Sequence, residues 1–112
     1  MSAFNAGIFT EFQEQRSPGH TAGGDLIYHN GFLDLKKRIK DRIKQLDFFN
    51  DPAALDKKAV LESLDIAADA LITFANRHAD ALEHQAGQAT EPDRKKELQD
   101  MARICRKVPA HK

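Results

Sequence analysis

One hundred and twelve residues and 12.6 kDa make one small domain and leave no room for a large enzyme. Seventeen Lys and Arg balance seventeen Asp and Glu, so no global field draws the chain to nucleic acid or to anionic lipid, and any charge argument is local. The single cysteine, Cys105, excludes an internal disulfide framework and a multi-cysteine zinc site. No apolar run approaches the ~18 residues of a membrane span, and Met1-Ser2-Ala3-Phe4-Asn5 is not a basic stretch leading into an apolar one. The expectation is a soluble, untargeted, cytoplasmic chain that binds neither nucleic acid nor membrane.

Phe4, Ile8, Phe9 and Phe12 fall along one helical face, which predicts a short helix over Ile8 to Arg16. Ser17-Pro18-Gly19 stops it, because proline disfavours helical backbone in the residue before it. Residues 17–31 hold four of the six glycines and have no sustained period, and are expected to form a loop. Asn30 is placed to cap the next helix, predicted over 32–48, whose Phe32, Leu35, Ile39, Ile43 and Leu46 make one apolar stripe. Asn50-Asp51-Pro52 breaks the pattern.

A long helix is predicted over 56–86, with Val60, Leu61, Leu64, Ala67, Ala68, Leu71, Ile72, Ala75, Ala79 and Leu82 as its stripe and no internal Gly or Pro before Gly87, the expected stop. Thr90-Glu91-Pro92-Asp93 announces the last helix, 91–107, with Thr90 as cap, Leu98, Met101, Ala102 and Cys105 as its apolar residues, and Pro109 beyond. No stretch alternates as a strand does. The fold class is therefore all-α: an antiparallel helical hairpin or small bundle with an irregular N-terminal arm. Its core is thin for this length, and the N-terminal phenylalanines are shaped to pack on something else.

Candidate chemistry is sparse. No two of the five histidines stand four apart around an acid, and His78 with Glu83 or His84 reads as a solvated helix face, so no metal site is expected. Lys36 to Lys44 carries six cations and one acid, but Ile39 and Ile43 interrupt it at core spacing and no aromatic residues interleave it. Cys105 shares a stripe with Leu98 and Met101 and reads as a small hydrophobe. In Gly19-His20-Thr21-Ala22-Gly23-Gly24-Asp25, glycines that admit close approach frame a histidine and an aspartate suited to hydrogen bonding, and the phosphate-loop patterns are missing.

The run from Gly7 through Arg16-Ser17-Pro18-Gly19-His20-Thr21 resembles glycyl radical enzymes of the pyruvate formate-lyase family. Ile27-Tyr28, Gly31-Phe32-Leu33-Asp34, Leu46-Asp47-Phe48, Asn50-Asp51-Pro52, Phe74-Ala75-Asn76-Arg77-His78-Ala79 and Val108-Pro109-Ala110-His111 follow in the same order and spacing. The resemblance implies a partial domain over residues 1–112, the peripheral helices of a much longer α/β barrel enzyme of the formate acetyltransferase and diol dehydratase group. That parent would carry a protein glycyl radical installed by a radical S-adenosylmethionine activating enzyme and a cysteine that becomes a thiyl radical. Neither motif is in this chain, because no Arg-Val-x-Gly-Tyr-like loop occurs and Cys105 sits in Ile-Cys-Arg rather than Cys-x-Glu. No catalytic residue is thus expected here.

The resemblance implies one substrate-binding residue, His20, hydrogen-bonded to a substrate hydroxyl, with Arg16 and Asp25 flanking it. It also implies partners: the remainder of the barrel enzyme, the activating enzyme, and self-association through an exposed apolar face where the remainder is missing. The competing reading is a stand-alone helical module that binds an acidic partner through its basic helix. An exposed apolar patch would favour the first.

Overall fold

The computed structural model describes residues 24–112, whose regular structure is entirely helical: α1 (Leu26–His29), α2 (Phe32–Lys44), α3 (Ala54–Gln88) and α4 (Pro92–Lys107). The helix expected over Ile8 to Arg16 and the first part of the loop lie outside the described residues.

With 35 residues, α3 is about 52 Å long at 1.5 Å per residue, and the other two long helices pack on it rather than on each other. The C-terminal end of α2, with Gln45 and Leu46 just beyond it, lies beside Asp56, Lys57 and Val60, while its N-terminal end lies beside Leu71. α4 returns along the other half of α3, so that Arg106 reaches Asp80 and Glu83. Both helices run antiparallel to α3 and lie end to end along it. The Cα radius of gyration is 20.0 Å, against roughly 12–13 Å for a compact domain of this size.

One line along α3 explains the packing. Apart from Asn76, the residues of α3 that are buried or half-buried stand at 54, 58, 61, 65, 68, 72, 75, 79, 82 and 86, stepping by four and three throughout. This is the 3.5-residue repeat with which a helix keeps one seam against antiparallel neighbours. Apart from Leu98 on α4 the buried residues are small: Gly31 at the start of α2, Ala54, Ala68, Ala79 and Ala86 on α3, Ala102 on α4, and Ala110 in the tail. Alanine at the seam lets backbones approach closely but removes little apolar area from water, so the core is thin.

Several local expectations are corrected. α2 ends at Lys44 rather than at 48, because the Asp47 carboxylate takes the amides of Phe49 and Asn50, each at 3.0 Å, and folds the chain into a turn. α3 begins at Ala54, ahead of the expected 56, after Asp51 accepts the Ala53 amide at 3.0 Å. Gly87 does not end α3, which runs on to Gln88. Thr90 does not cap α4; Glu91 holds that position, with Pro92 in the first turn, where its missing N–H costs nothing. The loop expected through residue 31 contains α1, which follows a left-handed turn at Gly24 (φ 58°).

Candidate functional site

The one residue to which a substrate role was assigned, His20, lies outside the described residues, as does Arg16. Asp25 is exposed at the N-terminus of α1, and its backbone carbonyl accepts the Tyr28 amide at 3.1 Å. What the structure does define is the frame through which the Gly-rich loop joins the helices.

That frame is a clasp at the start of α2. Asn30 does not cap α2; it closes α1 instead, with both its backbone and side-chain N–H on the Leu26 carbonyl at 3.0 and 3.1 Å. Gly31 takes the cap position, and Asp34 reaches back to accept its amide at 3.0 Å. Two first-turn amides of α2 are satisfied from the far end of the chain: Phe32 donates to the Pro109 carbonyl at 2.9 Å and Leu33 to the Ala110 carbonyl at 3.0 Å. A Cβ on Gly31 would stand 2.3 Å from the Ala110 oxygen, so only glycine fits under this tail. The chain therefore enters at residues 24–31 and leaves at 108–112 side by side, at the middle of α3.

Beside the clasp runs an apolar groove of about 410 Å³ between α2 and α3, lined by Leu26, Phe32, Leu35, Ile39, Leu61, Leu64 and Leu71, with Arg38 and Arg42 on its edge. The basic helix is thereby divided. Lys36 turns to the opposite edge, 2.8 Å from Asp65 and 2.8 Å from Asp69, and these two carboxylates, Asp65 foremost, hold its ammonium above the ordinary lysine range. Arg38 and Arg42 face the groove. The six cations do not form one docking face.

The remaining candidates do no chemistry that the structure supports. Among the described residues no group of three His, Cys, Asp or Glu could hold a metal ion. His78 pairs its Nδ1 with the Phe74 carbonyl at 3.1 Å and stacks at 4.3 Å on that ring, and His84 pairs with Gln88 at 3.2 Å. Cys105 is half-buried in α4 and lines none of these grooves. No helix among the described residues is long and apolar enough to cross a membrane.

The exposed surface is heavily apolar: Phe49 is 99% exposed, Leu55 72%, Ile66 69% and Phe74 63%. So much uncovered apolar surface marks a missing neighbour. The comparisons agree, since the family model described as pyruvate formate lyase-like matches residues 1–112. The chain belongs to that family of glycyl radical enzymes. It is similar to trans-4-hydroxy-L-proline dehydratase of Clostridioides difficile, 51% identical over 112 residues, which is 100% of this chain and 14% of that protein. It is 39% identical over 83 residues to isethionate sulfite-lyase of Oleidesulfovibrio alaskensis, 74% of this chain and 10% of the relative.

Among solved structures, hydroxyproline dehydratase from Clostridioides difficile with trans-4-hydroxy-L-proline bound matches 98% of this chain and 14% of its own, with a TM-score of 0.80 at 52% identity. A structure concerned with 1,2-propanediol dehydration in Roseburia inulinivorans matches 73% of this chain and 10% of its own, with a TM-score of 0.69 at 34% identity. The chain thus spans about one-seventh of the first of these relatives, and its helices belong with the rest of a larger enzyme.

Proposed function

We propose that this chain is the scaffold segment of a glycyl radical dehydratase that acts on a hydroxylated amino acid of the trans-4-hydroxy-L-proline type. It is a partial domain, and within it His20 is the residue proposed to meet the substrate. The observation that carries this reading is identity of 51% along all 112 residues to a trans-4-hydroxy-L-proline dehydratase. The similar proteins include dehydratases and a sulfite-lyase, which favours elimination over acyl transfer.

In this reading the glycyl radical and the reactive cysteine come from the remainder of the enzyme, and an activating enzyme installs the radical. What the chain itself contributes is a hydrogen bond. A neutral imidazole at His20 can donate to or accept from a substrate hydroxyl, according to which ring nitrogen carries the proton.

The test is steady-state consumption of trans-4-hydroxy-L-proline by the complete, activated enzyme. Turnover is expected for the wild type, with a strong loss in His20→Ala and the helical circular dichroism unchanged. No consumption by the activated wild type would reject the substrate class, and unchanged kinetics in His20→Ala would reject the role of that residue. The stand-alone module reading has less support, because Lys36 is already engaged within the chain.

A further inference from the structure

The groove between α2 and α3 is apolar except for two guanidinium groups, Arg38 and Arg42, and no carboxylate lines it. The flank of α3 beside it carries a repeat of its own. Val60, Leu64, Ala67, Leu71 and Phe74 step by four, three, four and three, and Val60, Leu64 and Phe74 are more than half exposed. A stripe of ~3.5-residue period matches the side-chain rows of another helix rather than the two-residue period of a strand. From Leu61 to Leu71 the groove wall is about 15 Å long at 1.5 Å per residue, close to three turns of a partner helix.

We propose that this groove seats an amphipathic helix from the part of the enzyme outside these 112 residues, with its apolar face on Leu64 and Leu71 and carboxylates one turn apart against Arg38 and Arg42. The two arginines stand four residues apart, so their heads project on one side of α2, a turn from each other. Neither meets a carboxylate among the described residues; Arg42 reaches only the Gln45 amide oxygen, at 3.4 Å.

The opposite edge of the same helix shows the complementary arrangement completed, where two α3 carboxylates hold Lys36. A second copy of this chain is the poorer occupant. A two-fold contact sets each patch against itself and would bring four guanidinium groups together across a groove that no carboxylate lines. The chain covers only 14% of the dehydratase it resembles, which leaves ample polypeptide to supply a helix. The inference rests on this membership of a larger enzyme, and not on its substrate.

The test is photo-crosslinking in the complete enzyme, with p-benzoylphenylalanine placed at Leu64 and, in a second variant that spares the leucine, at the exposed Ala67. The links are mapped by mass spectrometry in a mixture of light and heavy isotope-labelled copies. The expected result is a link, from either position, to one peptide outside residues 1–112 whose apolar residues step by three and four and which carries Asp or Glu. Arg42→Glu is expected to lower the link yield severalfold, and exchanging the facing carboxylate for Lys to restore it. A link to residues 1–23, a link between light and heavy copies, or a probe left unlinked at both positions would overturn the proposal. Because links form whether or not hydroxyproline is consumed, an enzyme that links as expected and does not dehydrate rejects the proposed substrate alone.

Discussion

The two halves of α3 are built on the same 3.5-residue repeat and finished differently. In the half under α4, the seam positions 72, 75, 79, 82 and 86 are Ile, Ala, Ala, Leu and Ala, and Leu98 and Ala102 close it from the other side. In the half under α2, positions 54, 58, 61, 65 and 68 include Lys58 and Asp65, and the groove alongside stays open. One half is a hairpin whose seam is closed from both sides. The other is a layer awaiting a further helix, with an ion pair where the first half has alkyl side chains. A continuous helix can thus carry both a self-contained core and an unfinished one, and only the residues facing it differ.

The largest expected effect separates these halves. Leu98 is 4% exposed, and Leu98→Ala is expected to cost about 2–4 kcal/mol in urea unfolding of the 112-residue chain. Leu64 is 52% exposed, and Leu64→Ala is expected to cost under about 1 kcal/mol in the same chain, because little area is lost from burial. In the complete enzyme the Leu64 penalty should rise toward that of Leu98. Equal penalties in the isolated chain would break the comparison.

Next in size is Gly31→Ala. The added methyl has the Ala110 oxygen at 2.3 Å and His111 Cα at 2.6 Å, so the tail must move away, at an overpacking cost of about 1–3 kcal/mol. Hydrogen exchange should quicken at the amides of Phe32 and Leu33, which donate to the tail, and stay slow along α4. Quickening spread evenly over both halves would mean that the clasp is not a separate unit.

These three variants also mark where sequence reasoning reached and where it stopped. The helical class and the long α3 are legible because apolar residues recur at helical spacing without interruption. Which part of that stripe is covered is not legible: Val60, Leu64, Ala67 and Leu71 read as core beside Leu61 and Ala68, but they form an adjacent row that no described element covers. The capping of α2 was missed because its partners, Pro109 and Ala110, lie at the other end of the chain, although Asp34 three residues after Gly31 was a local signal. The apolar surface expected of a piece of a larger enzyme is present on the helices, whereas the phenylalanines at 4, 9 and 12 and the histidine at 20 lie outside the described residues.

The two inter-helix ion clusters give a finer test. Arg106 meets Asp80 at 2.5 Å and Glu83 at 3.0 Å, but its side chain is 41% exposed, where water and salt weaken such pairs. The Lys36 side chain is 12% exposed, and removing it leaves Asp65 and Asp69, one turn apart on α3, without a cation between them. Lys36→Met should therefore lower the thermal midpoint more than Arg106→Met does, and added salt should narrow the Arg106 effect first. The reverse order would place the stronger polar contact in the α4 half.

The smallest effect is titration of the corner between α2 and α3. The Asn50 side-chain amide foremost, with the Asn50 and Phe49 backbone amides, holds the Asp47 carboxyl below the usual carboxylate range, and Lys57 does the same for Asp51 with help from the Ala53 amide. In the unfolded chain both return to ~3.9. As pH falls toward that value the unfolded state binds protons before the folded one, so the stabilisation is complete above about pH 5 and is lost as pH drops through the folded values. Lys36 has the opposite sign: its contribution is complete below ~10.4 and fades as pH rises past it. Once the intrinsic slowing of exchange with falling pH is divided out, protection of the Phe49, Asn50 and Ala53 amides should therefore fall on acidification, while that of the Lys95 amide, bonded to the Glu91 carbonyl at 3.0 Å, should hold over the same range. Asp47→Asn should remove part of that acid response. A single acid transition seen equally at both sites would mean that α3 couples its halves too tightly for the open one to loosen first.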